Sequence, residues 1–170
     1  NYSTCFEAEK AAEYCLSHGA TTIMSTPYYS MDFETFMDAI RCGREAIKKI
    51  KSIKGLYMEG PFVNNKYGAN QHKNPWGETI GPERFKRFVD EAGTDAKVWT
   101  VAPERPDLLP FLEYARKVNP DVVFAVGHSE ATPMQIREMR KYRPTLQTHS
   151  MNATQRIEVP GGTRGYGPDE

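Results

Sequence analysis

Residues 119–135 read Asn119-Pro120-Asp121-Val122-Val123-Phe124-Ala125-Val126-Gly127-His128-Ser129-Glu130-Ala131-Thr132-Pro133-Met134-Gln135. Asn119-Pro120 ends a helix, because proline pushes the residue before it out of the helical region. Val122 to Val126 is a short, strongly apolar run of the kind that forms a buried strand. Thr132-Pro133-x-Gln135 then has the form of a capping box, which opens the next helix. Between strand and helix stand a glycine, a histidine and a serine. This unit, a buried strand with a polar end followed by a helix, is what a parallel sheet with crossover helices requires.

The same alternation extends in both directions. Thr4-x-x-Glu7 caps a helix through Leu16 that stops near Gly19, and Thr21 to Thr26 reads as a short buried strand. Phe33, Phe36, Met37, Ile40 and Ile47 share one helical face, and Gly55 to Glu59 is the next strand. Gly81-Pro82 opens a third helix with Phe85, Phe88 and Val89 inward, ending at Gly93 before the strand Val98 to Val101. Pro106 begins a fourth helix with Leu109, Leu112 and Ala115 facing in; Thr145 to Thr148 is a last short strand. From Val159 onward the chain is Gly- and Pro-rich without apolar periodicity and reads as a long loop. The pattern is α/β, either an open doubly wound sheet or part of a closed (β/α)8 barrel. Neither G-x-G-x-x-G nor G-x-x-x-x-G-K-[ST] is present, which weakens the nucleotide-binding alternatives.

Composition narrows the partners. Twenty-two basic residues balance twenty-two acidic ones in 170 residues, without a block of like charge. Nothing in that balance attracts nucleic acid or an anionic membrane, so a small molecule is the natural partner. No apolar run approaches the roughly 18 residues of a membrane span, and the N-terminus lacks the order of a signal peptide. Cys5, Cys15 and Cys42 form no C-x-x-C and are odd in number, so no disulfide is expected and a reducing cytoplasm fits.

Polar residues of one chemical kind follow successive apolar strands, where a barrel keeps its active site. Glu59 closes Gly-Leu-Tyr-Met, His128 follows Phe-Ala-Val-Gly, and His149 follows Leu-Gln-Thr, with Asn152-Ala153 just beyond. One carboxylate and two imidazoles suit zinc or a similar divalent ion and leave a position open for water. Taken singly, Glu59 reads equally as a cap or ion-pair partner, and a lone histidine is more often structural. Three such residues, each ending its own strand, favour a metal. Duller readings suit the rest: Tyr28, Tyr29 and Trp76 pack over the rim, His18 is a helix C-terminal residue, Lys48, Lys49 and Lys51 are a solvated helix end, and Glu104 hydrogen-bonds within the rim.

Tyr57-Met58-Glu59-Gly60-Pro61-Phe62, Ala102-Pro103-Glu104, Gly127-His128-Ser129-x-Ala131-Thr132 and Thr148-His149-Ser150-Met151-Asn152-Ala153 come in the order and spacing of one family. His18-Gly19-Ala20-Thr21-Thr22 with Thr26-Pro27 adds to the likeness. Over nearly its whole length the chain resembles N-acetylglucosamine-6-phosphate deacetylases, of the amidohydrolase superfamily.

The resemblance implies the central part of one (β/α)8 barrel across residues 1–170, with the remaining strands and any accessory β-sandwich outside the chain. It implies a cytoplasmic homodimer and one divalent ion, zinc first and iron, cobalt or manganese also suitable, held by Glu59, His128 and His149. Water would attack the acetamido carbonyl, releasing acetate. Asn152 and Ala153 would contact the amino sugar phosphate. The family's general base is an aspartate expected beyond Glu170; Glu158, Asp169 and Glu170 do not suit that role. Where the family has Gly-Ala-His, this chain has Gly68-Ala69-Asn70 with His72 close behind. Either Asn70 or His72 takes that substrate contact, or both are solvated loop residues. Arg156 is a candidate for the phosphate. The alternatives are another amidohydrolase with a different amide, cyclic amide or amidine, and a non-catalytic barrel piece that binds a sugar phosphate or has a structural role.

Overall fold

The computed structural model describes residues 4–67, 74–77 and 79–150, with the backbone alone of 156–158 and 164–166. Its elements are α1 (Cys5–Ser17), β1 (Ile23–Ser25), α2 (Phe33–Lys49), β2 (Ile53–Met58), α3 (Pro82–Ala92), β3 (Ala96–Val101), α4 (Leu108–Val118), β4 (Val123–Val126), α5 (Pro133–Glu138), β5 (Leu146–Gln147), β6 (Arg156–Glu158) and β7 (Arg164–Tyr166). The five strands β1 to β5 form one parallel sheet in sequential order. A doubly wound sheet reverses strand order at its switch point; this sheet never does. The architecture is therefore a half-barrel of (β/α) units, and all five C-terminal strand ends face the same way.

Local chemistry sets the element ends. The Thr4 side chain accepts from the Glu7 amide while the Glu7 carboxylate accepts from the Thr4 amide, a closed capping box on α1. Thr132 and Gln135 repeat it on α5. Asp32 caps α2, accepting from the Thr35 amide at 3.0 Å and hydroxyl at 2.6 Å. His18 ends α1, its Nδ1 meeting the Tyr14 carbonyl at 2.8 Å. No helix among the described residues is long and apolar enough to cross a membrane.

Helices and sheet meet in an aromatic core. Phe88 of α3 touches Phe36 of α2, Phe111 of α4, Trp99 of β3 and the loop residues Phe62 and Trp76. Edge-to-face and offset contacts of this kind add to what area burial alone contributes.

Three sequence expectations are corrected. Leu109 is 48% exposed, because α4 buries Leu108, Phe111, Leu112 and Ala115. Leu109 lies about 100° around the helix from Leu108 and so falls on the flank of that stripe. The segment after Val159 is not loop throughout: β6 and β7 pair antiparallel, Arg156 opposite Tyr166. Such a ribbon is held by backbone hydrogen bonds, which leave no apolar pattern to read. Cys5 and Cys42 form a disulfide between α1 and α2, while Cys15 is free. Packing of the two helices brings the α-carbons to 4.6 Å, within bridging reach, and neither spacing nor motif in the sequence carries that distance. Cysteine usage therefore gives no argument for a reducing compartment.

Two outcomes follow from the packing and the cap. Phe88→Ala should destabilise the protein by about 3–5 kcal/mol in urea unfolding, since it empties the centre of a core that cannot fully collapse. The hydrogen bonds from the Thr35 side chain and amide hold the Asp32 carboxyl below its ordinary value. A depressed carboxyl contributes stability at pH values above its unfolded pKa, and that contribution is lost as pH falls through the folded one. NMR titration of Asp32 should show the depressed midpoint, and Asp32→Asn should remove this part of the acid dependence.

Candidate metal centre

Glu59 directly follows β2, while His128 and His149 stand two residues past β4 and β5. Parallel strands in sequential order bring these ends to one rim, and the side chains converge there. Glu59 Oε1 lies 2.8 Å from His128 Nε2 and 2.7 Å from His149 Nε2. One ligand atom from each residue fits within 4.8 Å of the others. The imidazoles stand nearly perpendicular with centroids 4.9 Å apart. His128 is buried, Glu59 is mostly covered and the His149 side chain is 41% exposed, so the cluster opens to solvent on the His149 side.

Close approach of β4 and β5 makes this convergence possible. A Cβ on Gly127 would sit 2.7 Å from Thr148 Cβ and 2.8 Å from the Thr148 carbonyl oxygen. Thr148 is in turn held by its amide on the Val126 carbonyl at 2.7 Å, and its hydroxyl meets those of Tyr57 at 2.5 Å and Thr100 at 3.1 Å. Both histidines adopt left-handed backbone angles, φ 49° at His128 and φ 56° at His149. Non-glycine residues keep that conformation where the surroundings over-determine it, and such positions cluster at functional sites.

The other face of the His128 ring decides its chemistry. Nδ1 lies 3.1 Å from the Tyr67 carbonyl oxygen. A carbonyl can only accept, so Nδ1 carries the proton and the neutral ring presents a bare lone pair at Nε2. That lone pair faces a carboxylate oxygen, also an acceptor. Two acceptors at 2.8 Å need a cation between them, either a proton that makes His128 an imidazolium or a metal ion. Burial acts to raise the Glu59 pKa, but the hydrogen bonds of His128 and His149 outweigh it and hold the carboxyl below the ordinary glutamate value. An ionised carboxylate and two imidazoles fit a divalent ion with an open side.

Of the residues singled out in sequence, Glu59, His128 and His149 come together. Asn70, His72, Asn152 and Ala153 lie outside the described residues, and Arg156 is described by its backbone alone, in β6. Glu104 hydrogen-bonds within the rim, as expected. Tyr29 and Trp76 are buried at the rim: the Trp76 Nε1 donates to the Tyr29 carbonyl at 2.6 Å, and the Tyr29 ring meets His128 edge-on. Sequence reasoning missed Tyr67, which acts through its carbonyl, and the Tyr57–Thr148–Thr100 hydroxyl chain. A backbone acceptor has no residue type to betray it. The hydroxyl chain could be suspected only from polar residues in strands that otherwise bury apolar ones.

A half-barrel of sequential parallel strands, with a carboxylate and two imidazoles at their C-terminal ends, defines a (β/α) barrel type of protein with a candidate metal centre where such barrels keep their active sites. No family model matches the chain. Over 99 residues it is 29% identical to the N-acetylglucosamine-6-phosphate deacetylase of Bacillus subtilis (strain 168), an alignment covering 58% of this chain and 24% of the relative. The enzyme of the same name from Lysinibacillus sphaericus is 28% identical over 142 residues, 81% of this chain and 35% of that one. The crystal structure of N-acetyl-D-glucosamine-6-phosphate deacetylase from Mycobacterium smegmatis superposes with a TM-score of 0.75 at 28% identity, covering 98% of this chain and 45% of its own. The chain is similar to the N-acetylglucosamine-6-phosphate deacetylases, and it spans 24% and 35% of the two curated relatives it matches.

The Gly127 contact has a measurable consequence. Gly127→Ala should cost roughly 1–3 kcal/mol in chemical denaturation, because Thr148 must move to admit the methyl group. Thr148 and His149 move together, so the variant should also change the imidazole signals of His149 in NMR spectra.

Proposed function

We propose that this chain is the central part of one (β/α)8 barrel in a hydrolase that converts N-acetylglucosamine 6-phosphate and water to glucosamine 6-phosphate and acetate. The observation that carries the reading is the placement of His128: Nδ1 lies 3.1 Å from the Tyr67 carbonyl oxygen, an acceptor, and Nε2 lies 2.8 Å from Glu59 Oε1, which His149 Nε2 also meets at 2.7 Å. The deacetylases among its relatives supply the reaction.

Glu59, His128 and His149 would hold one divalent ion, with zinc, iron, cobalt and manganese all suited to carboxylate and imidazole. Such an ion supplies Lewis acidity, polarising an amide carbonyl and lowering the pKa of a water. Tyr67 keeps His128 in the ligating tautomer. Glu59 brings one negative charge against the ion's two, which leaves a net charge of about one positive unit to act on the carbonyl. The exposed side at His149 leaves room for the acetamido group.

Asn152 and Ala153 contact the sugar, Asn70 or His72 assists at the carbonyl, and Arg156 takes the phosphate in bidentate fashion. The proton shuttle is an aspartate outside this chain. A homodimer and a cytoplasmic setting complete the proposal, the latter resting on a phosphorylated sugar as substrate. Asn70 in place of the histidine of the resembling motif favours a second reading, an amidohydrolase of the same barrel with a different amide.

Acetate release from N-acetylglucosamine 6-phosphate by the longest natural form of the protein, with and without added divalent metal, tests both. Release should require metal. Glu59→Gln and His128→Asn should weaken metal binding by on the order of 100-fold or more, since even neighbours of a ligand are worth 10–100-fold. Metal-dependent binding without acetate release in the intact protein would move the assignment to another amide. Absence of stoichiometric metal would remove the hydrolase reading altogether.

A further inference from the structure

Glu104, past the end of β3, is the junction of the two loops that carry Glu59 and His128. Its Oε1 accepts from Asn64 Nδ2 at 2.9 Å and from the Glu130 amide at 2.7 Å. Its Oε2 accepts from the Ser129 hydroxyl at 2.6 Å. Ser129 and Glu130 are the two residues that follow His128, and Ser129 is fully buried. The Asn64 amide donates to the His128 carbonyl at 2.9 Å, and the Tyr67 amide donates to the Asn64 carbonyl at 3.2 Å. Every group that Glu104 grips therefore either continues the chain from His128 or belongs to the turn that carries the Tyr67 carbonyl.

We infer that Glu104 is a positioning residue for metal binding: it holds His128 in its left-handed backbone conformation and keeps the Tyr67 carbonyl against Nδ1. The inference rests on the proposed metal-binding role of His128. A left-handed residue other than glycine relaxes unless its neighbours prevent it. On the N-terminal side, β4 and the Gly127 amide, bonded to the Val101 carbonyl at 3.2 Å, fix the entry. On the C-terminal side Glu104 holds the Ser129 hydroxyl and the Glu130 amide, while the Glu130 carboxylate accepts from Lys66 at 2.7 Å and from the Tyr67 hydroxyl at 3.0 Å. A carboxylate suits the place of Glu104 because three donors converge on it and it has only acceptors to offer. Glutamine keeps the shape and one fully accepting oxygen, whereas alanine releases all three donors.

The test compares wild type, Glu104→Ala, Glu104→Gln and Ser129→Ala by three measurements: zinc affinity by competition with a chromophoric chelator, the visible ligand-field spectrum of the cobalt(II)-loaded protein, and long-range ¹H–¹⁵N spectra of His128 in the metal-free protein. Glu104→Ala should weaken zinc binding about 10- to 100-fold. It should also change the cobalt spectrum at saturation and lose the slowly exchanging Nδ1 proton of His128. Glu104→Gln should recover most of the affinity, and Ser129→Ala, which removes one of the three bonds, should fall between. Should Glu104→Ala fail to fold, Ser129→Ala and Glu104→Gln carry the comparison. Unchanged affinity, cobalt spectrum and His128 proton in folded variants would overturn the inference. If wild type binds no metal, the metal reading fails by itself, and the His128 proton still decides whether Glu104 positions the ring.

Discussion

The bond from His128 Nδ1 to the Tyr67 carbonyl is the constraint on which the centre depends. Without it the imidazole would be free to place its proton on Nε2 and to satisfy Glu59 as an ordinary donor. With it, Nε2 is an acceptor facing an acceptor, and the arrangement becomes one that a cation completes. The loop after β2 thus acts twice. It begins with the carboxylate of Glu59 and, eight residues on, supplies the carbonyl that sets the tautomer of the ligand opposite.

That loop can serve both ends because of what lies beneath it. The sheet runs in sequential order with every strand parallel, so consecutive C-terminal ends are neighbours on one rim. Phe62 is buried in the aromatic core at the root of the loop, stacked on Phe111 at 4.0 Å, while the Ala102 amide donates to its carbonyl at 2.8 Å. The rim is thereby tied to the core, and a polar centre that must hold left-handed residues rests on packed aromatic side chains. Gly127 adds a close approach to Thr148 that side chains larger than hydrogen would prevent.

Much of this was legible in advance. Apolar stripes located the five parallel strands and their helices, the two capping boxes formed as written, and Glu59, His128 and His149 ended their strands as the pattern required. The misreadings share a cause. Leu109 counts as apolar wherever it points, the β6–β7 pairing is made by backbone groups common to all residues, and the Cys5–Cys42 bond depends on two helices meeting across 37 positions.

Residue type and local periodicity belong to the chain itself, so sequence alone determined the α/β alternation, the chemical character of the strand ends and the family likeness. Sheet order, the choice between an open sheet and a barrel, the tautomer of His128 and the role of Glu104 were decided only by tertiary structure. Each of these is a distance between residues far apart in sequence, and most of the atoms involved are backbone carbonyls and amides that every residue carries.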